Sequence, residues 1–158
     1  MKKLWMMILA LALALGLAGC GGKEENNAPA LYAPHHVDDM VEAGAFSEEL
    51  EELDGDIAFQ LYRLEEYGLT REDLKECAVL RSAGATCEEG AVLVFSNSEK
   101  AETAEGALKD YIQNQIEANE DYRPSEIPKL KEALVDRRGE SVLLAVADDL
   151  EAAKEAVK

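Results

Sequence analysis

Three cysteines, two adjacent histidines and a large excess of carboxylates are the side chains of this chain that could do chemistry. Cys20 ends the stretch Leu17-Ala18-Gly19-Cys20, directly after a run without charge. The small residues Ala18 and Gly19 stand directly before it. Cys77 and Cys87 are left as a possible pair; an oxidising location permits a disulfide without requiring one. His35 and His36 are the only histidines, and Asp38 and Asp39 are near enough in sequence to complete a metal site. The plainer reading of two neighbouring histidines in a polar linker is solvation. Asp54-Gly55-Asp56 has the acids and glycine of a calcium loop, but the EF-hand order and its closing Glu are missing. A turn after a solvated acidic face is the plainer reading there, a weak divalent-ion site the sharper one.

Other reactive arrangements are missing from the sequence. There is no glycine-rich phosphate loop, no His-Glu-x-x-His helix and no paired-cysteine zinc spacing. With the fold counted from Val37, no histidine lies inside it, which removes Ser-His-Asp and Cys-His nucleophiles. Carboxylate pairs are abundant, but 33 acidic residues make such neighbours by composition alone. Tyr62, Tyr67 and Tyr111 would line a ligand cleft or, at helical spacing, simply fill core. No catalytic, cofactor or metal residue is assigned, and the chain is expected not to be an enzyme.

Lys2 and Lys3 precede an uncharged stretch from Leu4 to Leu17, the pattern of a secretory signal. Leu17-Ala18-Gly19-Cys20 resembles the lipobox of bacterial lipoproteins, which implies a diacylglyceryl group on Cys20 and cleavage after Gly19. The uncharged run reaches Gly22, so an uncleaved membrane helix is the alternative. Either reading places the domain outside the cytoplasm, on the cell membrane. The formal charge is −17, and losing the two lysines would bring the mature chain to −19. Such a surface repels nucleic acid and anionic headgroups, so no nucleic-acid partner is expected. It suits a soluble surface, or else a cationic partner or divalent metal. After removal of residues 1–19, the lipidated cysteine and a flexible tether occupy 20–36. The tether would reach at most ~50 Å and span nearer ~20 Å. One domain, 37–158, follows.

The elements needed to position anything in that domain can be read in order. Asp38 or Asp39 caps a short helix that Gly44 ends. Phe46, Leu50 and Leu53 form an apolar stripe on an acidic helical segment, with Glu48, Glu49, Glu51 and Glu52 opposite. A helix from Asp56 to Tyr67 stops at Gly68, and Thr70-x-x-Asp73 resembles a capping box. The runs 77–81 and 91–95 predict two antiparallel strands, the second interior. A loop centred near Gly84–Ala85 keeps Cys77 and Cys87 apart, whereas a tighter turn near Ser82 would face them. Ser96 or Ser98 caps a long helix carrying Ala101, Ala104, Leu108, Ile112 and Ile116 on one face, ending near Tyr122. A Ser125-capped turn, strands over 133–136 and 141–146 joined through Gly139, and a last helix capped by Asp148 or Asp149 complete the chain. The expected fold is α+β: a four-stranded, mainly antiparallel sheet packed with helices, in the order helices-β-β-α-β-β-α.

That order, with particular residues in it, resembles a known family. The residues are Tyr67-Gly68-Leu69-Thr70-Arg71-Glu72-Asp73 and Ala85-Thr86-Cys87-Glu88-Glu89-Gly90-Ala91-Val92-Leu93-Val94-Phe95. Tyr122-Arg123-Pro124 and Gly139-Glu140-Ser141-Val142-Leu143-Leu144 follow. Together they resemble the uncharacterised bacterial lipoproteins classed as domain of unknown function four-three-five-eight, of Gram-positive anaerobes, over Val37 to Val157. Cys87 and Gly90 depart from the Ala and the aliphatic residue of the family pattern. The resemblance implies no reaction and no catalytic residue. It does imply gene neighbourhoods with membrane-bound O-acyltransferases of envelope polysaccharides. Two function classes follow: a non-catalytic interaction or accessory domain for a cell-envelope assembly, and a small-ligand or divalent-ion-binding lipoprotein.

Overall fold

The apolar runs pair into a five-stranded antiparallel sheet, one strand more than the sequence predicts. The computed structural model describes residues 30–158, so Cys20, the signal segment and the first part of the tether lie outside the described residues. The strands are β1 (Glu51–Glu52), β2 (Leu74–Arg81), β3 (Glu89–Phe95), β4 (Leu134–Arg138) and β5 (Ser141–Val146), in the order β1-β2-β3-β5-β4. Ala91 to Phe95 is therefore central, as its unbroken apolar run requires. The helices are α1 (His36–Glu42), α2 (Gly55–Leu61), α3 (Ser98–Asn119), α4 (Ile127–Lys131) and α5 (Leu150–Ala156). Two 3-10 turns, Leu64–Tyr67 and Arg71–Asp73, link α2 to β2. No helix among the described residues is long and apolar enough to cross a membrane.

Alternation along β3 sorts its side chains to two faces. Ala91, Leu93 and Phe95 meet Phe59, Tyr62, Leu108 and Tyr111 from α2, its following turn and α3. Val92 on the other face joins Met40 of α1 and Ala153 beside Val157 at the α5 end. Both faces of the central strands are covered, which is why β5 is buried throughout and reads as continuous Val, Leu and Ala. The α3 stripe lies on the sheet as expected: Leu108 is 0% and Ile112 8% exposed. Asn97, between the two serines expected to cap it, accepts the Lys100 N–H at 3.0 Å. Asp149 caps α5 through the Ala152 N–H. Gly139, at φ +58°, opens the two-residue turn that pairs Arg138 with Ser141.

The extra strand comes from the acidic segment. Residues 46–53 carry a helical apolar spacing but form no helix, and Glu51–Glu52 instead pairs with Arg81 and Leu80 on the edge of β2. A helix would stack Glu48 on Glu51 and Glu52, and Glu49 on Glu52, as like-charge neighbours. The open edge of β2 supplies bonding groups in its place, and Leu53 N–H reaches Val79 O at 2.9 Å. The helix expected from Asp56 to Tyr67 also breaks. Asp54 caps its start by accepting the N–H groups of Asp56 and Ile57, the role that Asp54-Gly55-Asp56 performs here. The chain then turns at Arg63, at φ +54°, and resumes as a 3-10 turn closed by Gly68 at φ +80°. The turn lets Tyr62 and Leu64 both be buried.

The N-terminal boundary also moves. Tyr32, inside the expected tether, is 3% exposed. Its N–H reaches Ser141 Oγ at 2.8 Å, its hydroxyl donates to Asp136 Oδ2 at 2.5 Å, and the Arg138 guanidinium lies 4.1 Å above its ring. The helix expected from Asp38 or Asp39 begins at His36, and the two acids sit in its first turn, where the helix dipole favours them. A histidine therefore lies within the fold after all.

The predicted capping box forms, with Asp73 accepting the Thr70 N–H at 2.8 Å and lying 3.3 Å from Lys100 Nζ. The Thr70 backbone bond, followed by the Lys100 ammonium, holds the Asp73 carboxyl below its ordinary value of 3.8. A depressed folded-state pKa contributes stability above pH 3.8, lost as pH falls through the folded value. Wild type should therefore exceed Asp73→Asn in unfolding free energy at pH 6, and the gap should close below about pH 3.8. Urea titrations of both chains across that range check it.

Candidate functional site

Glu88 and Glu89, read from the sequence as part of a loop, are 0% and 2% exposed and head the central strand. Being consecutive, they point to opposite faces of the sheet. Glu89 shares the face of Ala91 and Leu93. Its Oε1 accepts the Tyr62 hydroxyl at 2.6 Å, and its Oε2 accepts the Tyr111 hydroxyl at 2.7 Å and Arg81 Nε at 3.1 Å. The two phenol rings meet edge to face, 5.1 Å between centroids. One carboxylate thus ties the end of α2, the middle of α3 and the edge of β2 together.

Its electrostatics follow from burial. Loss of solvent pushes the Glu89 carboxyl above its ordinary 4.5, against the pull of both tyrosines and Arg81. Burial, and then the Glu89 charge, push Tyr62 and Tyr111 upward, so both stay neutral donors. Burial opposes the Arg81 charge, but Tyr111 and Glu89 outweigh it, and its pKa rises. Burial and three internal donors close the Glu89 carboxylate off from a substrate, and a phenol with a raised pKa is a weak acid. The cluster is built to hold elements in place. Tyr62 and Tyr111 are core residues, and the space that they and Tyr67 border is about 20 Å³, room for one water. Tyr67 faces solvent and donates to Asp110 at 2.7 Å.

Glu88 is closed on the other face. It accepts the Ser47 N–H at 2.8 Å, the Ser47 hydroxyl at 2.6 Å and Lys129 Nζ at 2.6 Å. Burial works against the Lys129 charge, but hydrogen bonds to Glu88 and Asp148 overcome it and raise its pKa. Among the described residues, no buried side-chain nitrogen or oxygen lacks a partner. Gly90 has a packing reason here. A Cβ would meet the Phe46 ring at 2.8 Å and Met40 Cε at 3.2 Å, so these two side chains take the space an aliphatic residue would fill.

The other expected candidates fare differently. Cys77 lies opposite Leu93 in the ladder and Cys87 lies in the loop centred on Ala85; both thiols are free. Burial raises both, and at Cys87 the Arg123 and Arg81 charges pull the other way. His35, His36 and Asp39 do come together, with ligand atoms within 4.8 Å. Yet His36 Nδ1 accepts the Ala33 N–H at 2.9 Å, so the neutral ring carries its hydrogen on Nε2. No lone pair of His36 is left for a metal in this arrangement. Burial, and then the His35 charge, lower its pKa and keep it neutral. Asp38 adds no ligand to the group.

The alternation Glu89-x-Ala91-x-Leu93-x-Phe95 was the one sequence signal for the buried acid. Its partners lie 27 and 22 positions away and carry no signature of their own.

Fold and site define a small α+β domain whose sheet is locked to its helices by two buried acids. The family model for Domain of unknown function (DUF4358) matches residues 62–147, more than half of the chain, and the chain belongs to that family. The match is shorter than the Val37 to Val157 expected, but holds Tyr62, Arg81, Glu88, Glu89, Tyr111 and Lys129. No curated protein and no solved structure matches the chain.

Proposed function

We propose that this protein is an extracytoplasmic lipoprotein whose domain acts by binding a neighbour, as a non-catalytic accessory module of a cell-envelope assembly. The observation that carries this reading is the internal closure of the buried acids. Glu88 and Glu89, the groups best placed to be tuned for acid–base work, are spent on Ser47, Lys129, Tyr62, Tyr111 and Arg81. A catalytic centre keeps such a group free to meet its substrate. The Leu17-Ala18-Gly19-Cys20 stretch supports the anchor. An anchored module has a high local concentration near membrane proteins, so modest contacts suffice for association. With Tyr32 clasped to the sheet, the span from Gly21 to Tyr32 bounds the reach from the membrane at about 40 Å. An O-acyltransferase of envelope polysaccharide is the partner proposed.

Two results are expected. Cys20→Ala leaves unprocessed precursor without the diacylglyceryl mass, read by intact-mass spectrometry of membranes; mature protein starting elsewhere and free of lipid refutes the anchor. Deletion of the gene changes envelope acylation, and Cys20→Ala chain exported by another signal rescues it poorly. Ala at single exposed acids such as Glu49 or Glu151 should rescue fully. Turnover of an ester or polysaccharide by the purified protein alone, abolished by one such substitution, would replace the accessory reading with an enzyme.

A further inference from the structure

At the end of the sheet where β2 leaves and β3 returns, the loop 82–88 walls a polar pocket of about 140 Å³. Arg81, Cys87, Glu88, Gln115 and Arg123 line it, and the Glu88 carboxylate is taken up by Ser47 and Lys129. We propose that this pocket binds a small oxyanion, a carboxylate or phosphate group, between the guanidiniums of Arg81 and Arg123. The inference does not rest on the accessory-module reading.

The walls are rigid for a loop. Ser82 Oγ accepts the N–H groups of Gly84 and Thr86 at 3.1 and 3.0 Å, and Ser82 N–H reaches Glu88 O at 2.9 Å. Arg123 staples the loop to the end of α3: Nε donates to Asn119 Oδ1, and one terminal nitrogen donates to the carbonyls of Gly84 and Thr86. All three acceptors are neutral. In a chain with 33 acids and 16 bases, no carboxylate among the described residues lies within 4.0 Å of Arg123. Glu126, the acid beside the loop, is held by Cys87 N–H at 3.0 Å and by Lys129 at 3.6 Å. Arg81 uses Nε on Glu89 and is about one-third exposed at its side chain. The second terminal nitrogen of Arg123 has no acceptor among the described residues, so its two N–H groups remain for an oxyanion. The volume equals four or five liquid waters, enough for acetate or phosphate and too little for a sugar ring with its hydration.

The pocket's place in the fold suits an external ligand. Glu89 lies opposite Val146, and Val94 lies opposite Ser141, to which Tyr32 is clasped. The pocket is thus about 17 Å along the strands from the end where the N-terminal segment enters.

Cys87 in the pocket and Cys77 outside it provide the readout. The full chain in detergent is alkylated with neutral iodoacetamide and with anionic iodoacetate, and each cysteine is followed by peptide mass spectrometry. The Cys87-to-Cys77 rate ratio should be higher for iodoacetate than for iodoacetamide, because its carboxylate is drawn to the two guanidiniums. Acetate or phosphate at about twice a millimolar-range Kd should slow Cys87 about threefold. Cys77 should be unchanged, and chloride at equal ionic strength should have no effect. Protection by acetate alone marks a carboxylate site, by phosphate alone a phosphoryl site, and by both an unselective oxyanion site. Folded Arg123→Gln should lose the protection. Equal slowing of both cysteines, an equal effect of chloride, or no protection at 100-fold higher anion overturns the proposal. The reagent-charge comparison tests it on the unaltered chain even where Arg123→Gln unfolds.

Discussion

Glu89→Ala is expected to lower the unfolding free energy by about 3–5 kcal/mol, among the largest effects a single substitution in this domain can have. The side chain is 3% exposed and serves as acceptor for Tyr62, Tyr111 and Arg81 at once. Truncation leaves two hydroxyls buried without an acceptor and opens a void beneath them. Arg81 can turn to water, so its share of the loss is small. In urea, with a slope near 2 kcal/mol per molar, the midpoint should fall by about 2 M. Glu89→Gln keeps an acceptor oxygen and the shape, and should cost less. Because burial raises the folded-state pKa of Glu89 above 4.5, the folded chain binds more protons there than the unfolded chain. Its contribution is then fully present below pH 4.5 and declines as pH rises through the folded value. The difference between wild type and Glu89→Gln should narrow over that interval. A difference that widens with pH would mean that the three donors outweigh burial.

The second large effect is expected at Lys129→Met. Its ammonium lies 2.6 Å from Glu88, 3.2 Å from Asp148 and 3.6 Å from Glu126. Methionine fills similar space but leaves the fully buried Glu88 carboxylate with Ser47 as its donor pair. The loss should be about 3 kcal/mol, most of it the cost of a buried charge without its counter-charge. Adding Glu88→Gln removes that charge, so the double variant should regain at least ~1 kcal/mol over Lys129→Met alone. Additive losses would show that Lys129 acts through Asp148 and Glu126 instead. Equilibrium urea unfolding of the four chains of the cycle measures the coupling.

Where apolar periodicity is strong, local sequence was enough to specify structure. The run 91–95 could be nothing but an interior strand, since no polar side chain breaks it for a solvent face. The spacing of Ala101, Ala104, Leu108 and Ile112 placed α3 on the sheet, and Thr70 with Asp73 closed its turn through groups three residues apart. Each of these rests on neighbours in sequence, and such interactions survive whatever the rest of the chain does.

The tertiary structure decided the remainder. Residues 46–53 have helical spacing, yet the unpaired edge of β2 and repulsion among four glutamates make them extended. Tyr32 looks like linker until Ser141 and Asp136, over a hundred positions away, take up its N–H and hydroxyl. Glu88 and Glu89 look like a solvated loop because acids enter a core only when partners meet them there. Those partners, Ser47, Lys129, Tyr62 and Tyr111, are assembled by the packing of helices on both faces of the sheet. Desolvation sets the penalty for burying an acid, and only distant residues can offset it, so the candidate site was the part of this protein least legible in its sequence.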